Sequence, residues 1–385
     1  MPGNVSTDPV RLPAPADRLR RRLRDWFRVA ARDLPWRRRR TLYGTWIAEA
    51  MLQQTTVATV RRRWEEFLAR FPDVRALAAA DEEAVLAAWS GLGYYGRARR
   101  LLAAARRLAA AGGELPRTAA AWRELPGVGP YTAAAVASLG AGEAVAVVDT
   151  NVRRVLLRLC CDTEATAAAL RPAALAGLAE VLLDRERPGE WNEALMELGA
   201  LVCRPADPRC GECPWRRDCR AARAGAVHRI PPPRNRAPAA PVLLSALVVM
   251  AGRRVLLLPP GSPPAARPAG WDGRCVAAPV DLWPGLWGVP LTPWLPAAEA
   301  TATRQWEREA AAAWRRWSGV AATPRRVADV RHGVTRFRLQ VVVHRLAADP
   351  GFRPPGTRWF DLPLSRRAPV SSLTRKVVAA AAAAV

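Results

Sequence analysis

The stretch Leu125-Pro-Gly-Val-Gly-Pro-Tyr-Thr-Ala-Ala-Ala-Val136 decides how the first half of this chain is read. A helix ends ahead of it, Gly127-Val128-Gly129 turns tightly, and Pro130 opens a second helix, where a missing N–H leaves no bond unmade. The two glycines strip side chains from the turn, so backbone N–H groups can touch a phosphate directly. An ordinary turn between helices that happens to contain Gly-x-Gly fits these residues equally well. Residues further along the chain favour the first reading: an acid at Asp149, then four cysteines.

Cys203, Cys210, Cys213 and Cys219 are spaced C-x6-C-x2-C-x5-C. Gathering four thiolates requires a cation to offset their charge. Two disulfides are the plain alternative, but nothing else in the chain looks secreted. Tetrahedral zinc also suits four thiolates, although zinc ribbons usually pair two C-x2-C knuckles and this chain has one. The spacing resembles the loop that holds a [4Fe–4S] cluster in the endonuclease III and MutY branch of DNA glycosylases. Cys160, Cys161 and Cys275 read as buried small hydrophobes.

The chain has 385 residues, half of them apolar, enough for two or three domains with sizeable cores. Lys plus Arg number 59 against 34 Asp plus Glu, a formal charge of +25. That excess points to a polyanion, and a phosphate backbone is the natural one, although an arginine-rich, alanine-rich coding bias contributes to it. Lys376 is the only lysine, so nearly all the positive charge is arginine. No signal-peptide pattern opens the chain, and the apolar run Val242–Met250 is too short to span a bilayer. The expectation is a soluble cytoplasmic, nucleoid-associated monomer with reduced thiols.

Residues 1–16 read as a disordered lead-in. From Asp17 apolar residues recur at helical spacing, and helices are expected near 43–57, 58–70, 81–89, 95–111, 131–140, 150–160, 166–183 and 190–201. This helical domain spans 17–228 and ends in the cysteine loop, 203–219. Residues 229–241 form a Pro-rich linker, semi-rigid and extended. Beyond it, 242–385 reads as α+β, with strands at Val242–Met250, Arg254–Leu258 and Arg336–Arg345, a helix near 299–317 and another from about Leu373.

Residues 18–225 resemble the catalytic domain of the MutY family of adenine DNA glycosylases almost without gaps. The matching stretches are RDLPWR (32–37), EAMLQQT (49–55), GLGYYGRAR (91–99), LPGVGPYTA (125–133), VVDTNVRRV (147–155) and WNEALMELGALVC (191–203), with the quartet itself. The resemblance implies a mostly α, two-lobed helix-hairpin-helix domain (hairpin at 125–136) with an iron–sulfur loop, then a smaller α+β Nudix-like domain. It implies excision of adenine opposite 8-oxoguanine or G in double-stranded DNA. Hydrolysing that glycosidic bond calls for a proton donor to the base and a negative charge near the sugar cation. Glu49 has apolar neighbours on both sides, so desolvation would keep it protonated as the acid. Asp149, near a helix start, would stay ionised. Each also has a plain reading, a solvated helix position for Glu49 and an N-cap for Asp149.

The resemblance assigns Glu49 to protonating adenine N7 and Asp149 to the sugar, with Tyr131 and Asn151 positioning them. It places Gln54 and Tyr94 as wedges filling the emptied stack, beside Gln53, Thr55 and Leu92, and it lines the adenine pocket with Arg32, Leu34, Trp36, Arg37 and Glu193. Gly127, Val128 and Gly129 would hold phosphate. Tyr94 has a rival reading as a core aromatic, and Arg37–Arg40 as a solvated face. The lysine of the strand-cutting endonuclease III branch would fall at Tyr131, so a monofunctional glycosylase is expected. The alternatives are a bifunctional glycosylase/AP lyase and a non-catalytic DNA-binding protein.

In the C-terminal part the R-E-x2-E-E cluster of Nudix hydrolases is absent, since Ala312 and Ala313 stand where the paired acids belong after Arg308-Glu309. This domain is therefore expected to bind without hydrolysing nucleotides. The family's Phe-Ser-His-like 8-oxoguanine reader corresponds to His332-Gly333-Val334-Thr335-Arg336, with Thr335 keeping a hydroxyl.

Overall fold

The computed structural model describes residues 11–232, 240–260, 286–291, 295–296, 311–312, 315, 323–334, 337–365 and 368–384. The expected helix near 299–317, the reader residues Thr335 and Arg336, and Cys275 lie wholly or largely outside them.

Helix α1 (Ala16–Ala30) buries Leu19, Leu23 and Phe27 on one face and turns its arginines outward. A short helix α2 (Pro35–Arg38) follows, with Pro35 in its first turn. Helix α3 (Leu42–Leu52) starts on the Thr41 side chain, which accepts from the Gly44 amide, and is buried from Tyr43 through Met51. A helix buried on all sides has no amphipathic stripe, which is why α3 reads in sequence as a continuous apolar run. It ends earlier than the expected 57, because Gln53 turns to ψ 110° and Gln54 follows with a left-handed φ of 57°. The next helices are α4 (Val57–Arg70), α5 (Val74–Ala78), α6 (Glu82–Ala88), α7 (Gly96–Ala110) and α8 (Ala119–Arg123).

Helices α9 (Pro130–Ala141), α10 (Thr150–Cys160), α11 (Glu164–Ala169), α12 (Pro172–Leu182) and α13 (Pro188–Leu201) complete the core, and α14 (Arg220–Arg223) closes the cysteine loop. The single helix expected over 166–183 is two, because Pro172 takes a first-turn position and starts α12 afresh. Helices α10 and α13 touch through Gly199, where a Cβ would lie 2.6 Å from the Asn151 Cβ and 3.1 Å from its carbonyl carbon. Ile230, expected in the linker, is fully buried in this core instead.

By packing, residues 11–79 and 103–232 form one compact unit, and 80–102 group with the described residues from 240 onward. The second unit therefore holds α6 and the start of α7, whereas helical periodicity predicts one continuous domain over 17–228.

The second unit contains a mixed sheet ordered β4-β5-β1-β2-β6, with β3 also paired to β1. Its strands are β1 (Ala240–Ala251), β2 (Arg254–Leu257), β3 (Leu295–Pro296), β4 (Arg325–Val334), β5 (Phe337–Ala347) and β6 (Arg358–Asp361). Central β1 runs parallel to β5, with Leu244 beside Val341, and antiparallel to β2. Helix α15 (Ser372–Ala383), capped by Ser371, packs Leu373, Val377, Val378 and Ala381 against one sheet face. Strands β4 and β6 escape the sequence reading. They lie at the sheet's two ends, and Val330 is the only buried residue of β4, so neither shows apolar alternation.

Gly199→Ala is expected to lower stability by roughly 1–3 kcal/mol, because the new methyl meets backbone that cannot move aside. Thermal unfolding should show a lowered Tm.

Candidate active site

Glu49 sits on the third turn of α3, 5% exposed, and its Oε2 accepts from the Tyr131 hydroxyl at 2.9 Å. The same hydroxyl lies 3.6 Å from the Met196 sulfur on α13. Burial pushes the Glu49 carboxyl up to about 7; the Tyr131 bond pulls it down, while Asp149 and Glu193 push it further up. The plain reading of Glu49 as a solvated helix position is therefore excluded.

Asp149 caps α10. Its Oδ1 accepts from the Val152 amide at 2.6 Å and its Oδ2 from Asn151 Nδ2 at 2.8 Å. The capping role and the site location thus coincide. Burial still pushes Asp149 above its ordinary range, against the downward pull of the Val152 and Asn151 bonds and of Arg154, so a helix start alone does not settle its charge. Asn151 is locked in turn, accepting from Arg154 Nη2 at 2.9 Å. The extended segment ahead of Asp149 is held by Asn192 on α13, which accepts from Val147 N–H at 3.1 Å and donates to the Val145 carbonyl at 2.9 Å.

Around these acids lies a second layer of charge. Glu197, 2% exposed, takes a bidentate pair of bonds from Arg32 at 2.8 Å each and further bonds from Arg37 at 3.2 and 3.1 Å. Burial works against its charge, but Arg32 and Arg37 prevail and hold it at about 2. Glu193 pairs with Arg40 at 2.6 Å and faces Arg37 at 3.5 Å. The run Arg37–Arg40 thus divides: Arg37 and Arg40 point to the buried acids, while Arg38 pairs with exposed Asp33. Leu34 is buried, and Trp36 is almost covered, edge-on to Trp64 at 6.2 Å, so it is a pocket wall more than an open stacking face.

The hairpin has the expected form. Val128 N–H bonds back to the Leu125 carbonyl, Gly127 has φ +77°, and Gly129 precedes Pro130 at the start of α9. Gly129 is exposed, and a Cβ placed on it would meet nothing within 4 Å. Of the residues expected as wedges, Gln54 has φ 57°, and Tyr94, in the other unit, is 48% exposed with φ 48°. Two non-glycine residues in left-handed backbone mark local strain of the kind found at working sites. Gln53 instead ties α3 to α9 through Thr132 at 3.0 Å, Thr55 bonds the Gln53 carbonyl at 3.4 Å, and Leu92 is core.

Cys203, Cys210, Cys213 and Cys219 form no disulfide and line one cavity with Arg158, Arg216 and Val227. Burial pushes Cys213 up to about 12 and Cys219 up to about 11, so without a cation these groups are thiols. Buried Arg158 donates to the carbonyls of Arg204 at 2.7 Å and Ile230 at 2.6 Å and lies 3.5 Å from the Cys203 sulfur. Among the described residues no three His, Cys, Asp or Glu groups converge closely enough for one ion. Four thiols around a single cavity are soft donors of the kind that suit a metal centre. Arg216 and Arg217 of this loop are exposed, while Arg204 pairs with Asp207 and Arg209 faces Glu212 at 3.8 Å.

Glu197, Met196 and Asn192 do not stand out in the sequence. The one signal present is the four-residue spacing of Glu193 and Glu197, which puts two acids on one helix face.

The profile of HhH-GPD superfamily base excision DNA repair proteins matches residues 47–177. The chain is 35% identical to an adenine DNA glycosylase of Homo sapiens, across 92% of this chain and 72% of that protein. It is 41% identical to an adenine DNA glycosylase of Mycolicibacterium smegmatis across 53% of this chain and 69% of that one. Among solved structures, a thermostable thymine-DNA glycosylase superposes with TM-score 0.51 at 28% identity, covering 54% of this chain and 97% of that one.

Because the Glu49 carboxyl titrates near 7 when folded and at 4.5 in its ordinary setting, its burial destabilises the fold as pH rises through that window. Glu49→Gln should therefore flatten the stability–pH curve between those values. At pH 8 the variant should exceed the parent by up to about 3 kcal/mol, readable by denaturant unfolding.

Proposed function

The chain belongs to the adenine DNA glycosylases, and we propose that it is a monofunctional enzyme in which neutral Glu49 and ionised Asp149 divide the cleavage of adenine's glycosidic bond. As a member of that family it excises adenine in base excision repair. The observation that carries the division of labour is the unequal support of two acids, Glu49 buried and Asp149 half-buried. Asp149 accepts bonds from a backbone amide and an amide side chain, whereas Glu49 has one hydroxyl and two acidic neighbours. Acids this coupled share protons as a set, and the proton settles where the anion is least supported. Glu49 then donates to the departing base, and Asp149 offsets the cation that develops on the sugar. Arg32, Arg37 and Glu193 would wall the base, Gln54 would fill the stack it leaves, and the amides of 127–129 would hold a backbone phosphate.

A lysine amine could support strand cutting through a Schiff base, but the hairpin position carries Tyr131, and Lys376 is on α15. The four-thiol cavity fits a [4Fe–4S] cluster held by Cys203, Cys210, Cys213 and Cys219. Bound there, the cluster would supply a cation that fixes the loop. The partner we propose is duplex DNA with adenine opposite 8-oxoguanine or G, read by the sheet domain as a Nudix-like module without hydrolysis. Thr335, proposed for the polar contact, lies outside the described residues.

On duplexes bearing adenine opposite 8-oxoguanine, G or T, Glu49→Gln and Asp149→Asn should abolish base release while leaving binding near that of the parent. The parent's single-turnover rate should fall about tenfold per unit above a midpoint near pH 7 as Glu49 ionises. Borohydride should trap no covalent adduct, and efficient trapping would sink the monofunctional reading. The purified protein should be brown with a broad band near ~400 nm; a colourless zinc-bearing protein would exclude the cluster.

A further inference from the structure

The Tyr131 hydroxyl has one proton and two acceptors, Glu49 Oε2 at 2.9 Å and the Met196 sulfur at 3.6 Å. We propose that Met196 is a positioning residue whose thioether accepts the hydrogen bond of the Tyr131 hydroxyl while Glu49 is neutral and gives it up as Glu49 becomes a carboxylate. The proposal rests on Glu49 being the acid.

The chemistry derives from what each atom accepts. A carboxylate outcompetes a thioether for an O–H donor, so ionised Glu49 takes the Tyr131 proton. Neutral Glu49 is a poorer acceptor and carries its own O–H, which can donate to the Tyr131 oxygen. The Tyr131 proton then needs another acceptor beside a half-buried hydroxyl, and the sulfur is weak but adjacent. Glu49 takes up its proton from solvent and passes it to the base, while the Tyr131 O–H only rotates. As the proton departs, the hydroxyl swings back to Oε2 and stabilises the new carboxylate. Met196 therefore frees Tyr131 from the neutral acid beforehand and leaves it available afterwards.

The plain reading is that Met196 fills space, since it packs half-buried against the apolar clusters on either side of α13. That reading does not account for sulfur within hydrogen-bonding range of the hydroxyl that holds the acid. The charged and titratable groups acting on Glu49 are Tyr131 from α9, Asp149 from the start of α10 and Glu193 from α13, the last held by Arg40 and Arg37. Replacing Met196 leaves all of them in place.

Met196→Leu keeps volume and apolarity and deletes the acceptor. Tyr131 is then left with Oε2 alone, which favours the carboxylate. The alkaline midpoint of the single-turnover rate on duplex with adenine opposite 8-oxoguanine should move down by about half a unit to one unit. Met196→Gln, which restores an acceptor oxygen, should bring the midpoint back towards or above that of the parent. Melting temperatures of both variants identify any general loss of packing. A Leu variant whose midpoint matches the parent's, or which loses rate equally at every pH, would overturn the proposal. The underlying reading is tested apart from it: if Glu49→Gln still releases adenine, the acid is misassigned, whereas an inactive Glu49→Gln with an unmoved Met196→Leu midpoint convicts the sulfur alone.

Discussion

Placing four carboxylates in one water-poor region is the constraint on which the helical unit depends. Unpaired buried charge is costly, so each acid must find compensation within reach. Glu197 finds two guanidiniums, Glu193 finds Arg40 and part of Arg37, and Asp149 finds a helix N-terminus and Asn151. Glu49 finds a phenol and acidic neighbours, and burial raises its carboxyl to about 7. The chemical asymmetry needed for acid catalysis is thus a by-product of how arginines are distributed. No special property of residue 49 is required beyond its place on a helix buried from Tyr43 through Met51.

The parts of this arrangement that are local along the chain are legible in the amino-acid sequence itself. A cap lies next to its helix, and a Gly-x-Gly-Pro turn carries its own geometry, so Asp149 and the 125–136 hairpin can be placed from the residues. Glu49 is legible through its apolar flanks, and the cysteines through spacing. Glu197 is not, because its partners lie about 160 positions away and a glutamate on a helix has many ordinary uses. Trp36 shows the reverse error: its type suggests a stacking face, but only packing reveals Trp64 against it. In the sheet domain the central strands announce themselves as apolar runs, while β4 and β6 bury too little to leave a pattern.

The cysteine loop belongs to the same electrostatic scheme although it lies at the other end of α10. Arg154 donates to the Cys203 carbonyl at 2.7 Å and to the Gly199 carbonyl at 2.8 Å, and through Asn151 it reaches Asp149. One turn on, Arg158 is buried and saturated by carbonyls from Arg204, Pro205 and Ile230. Neither guanidinium could stay buried if the loop left, because each would lose acceptors that water cannot easily replace. A metal centre bound by the four thiols would therefore fix two arginines of α10, and with them the helix start that supports Asp149. The loop thus bears on Asp149 at a distance, by holding the helix whose first amides bond its carboxyl.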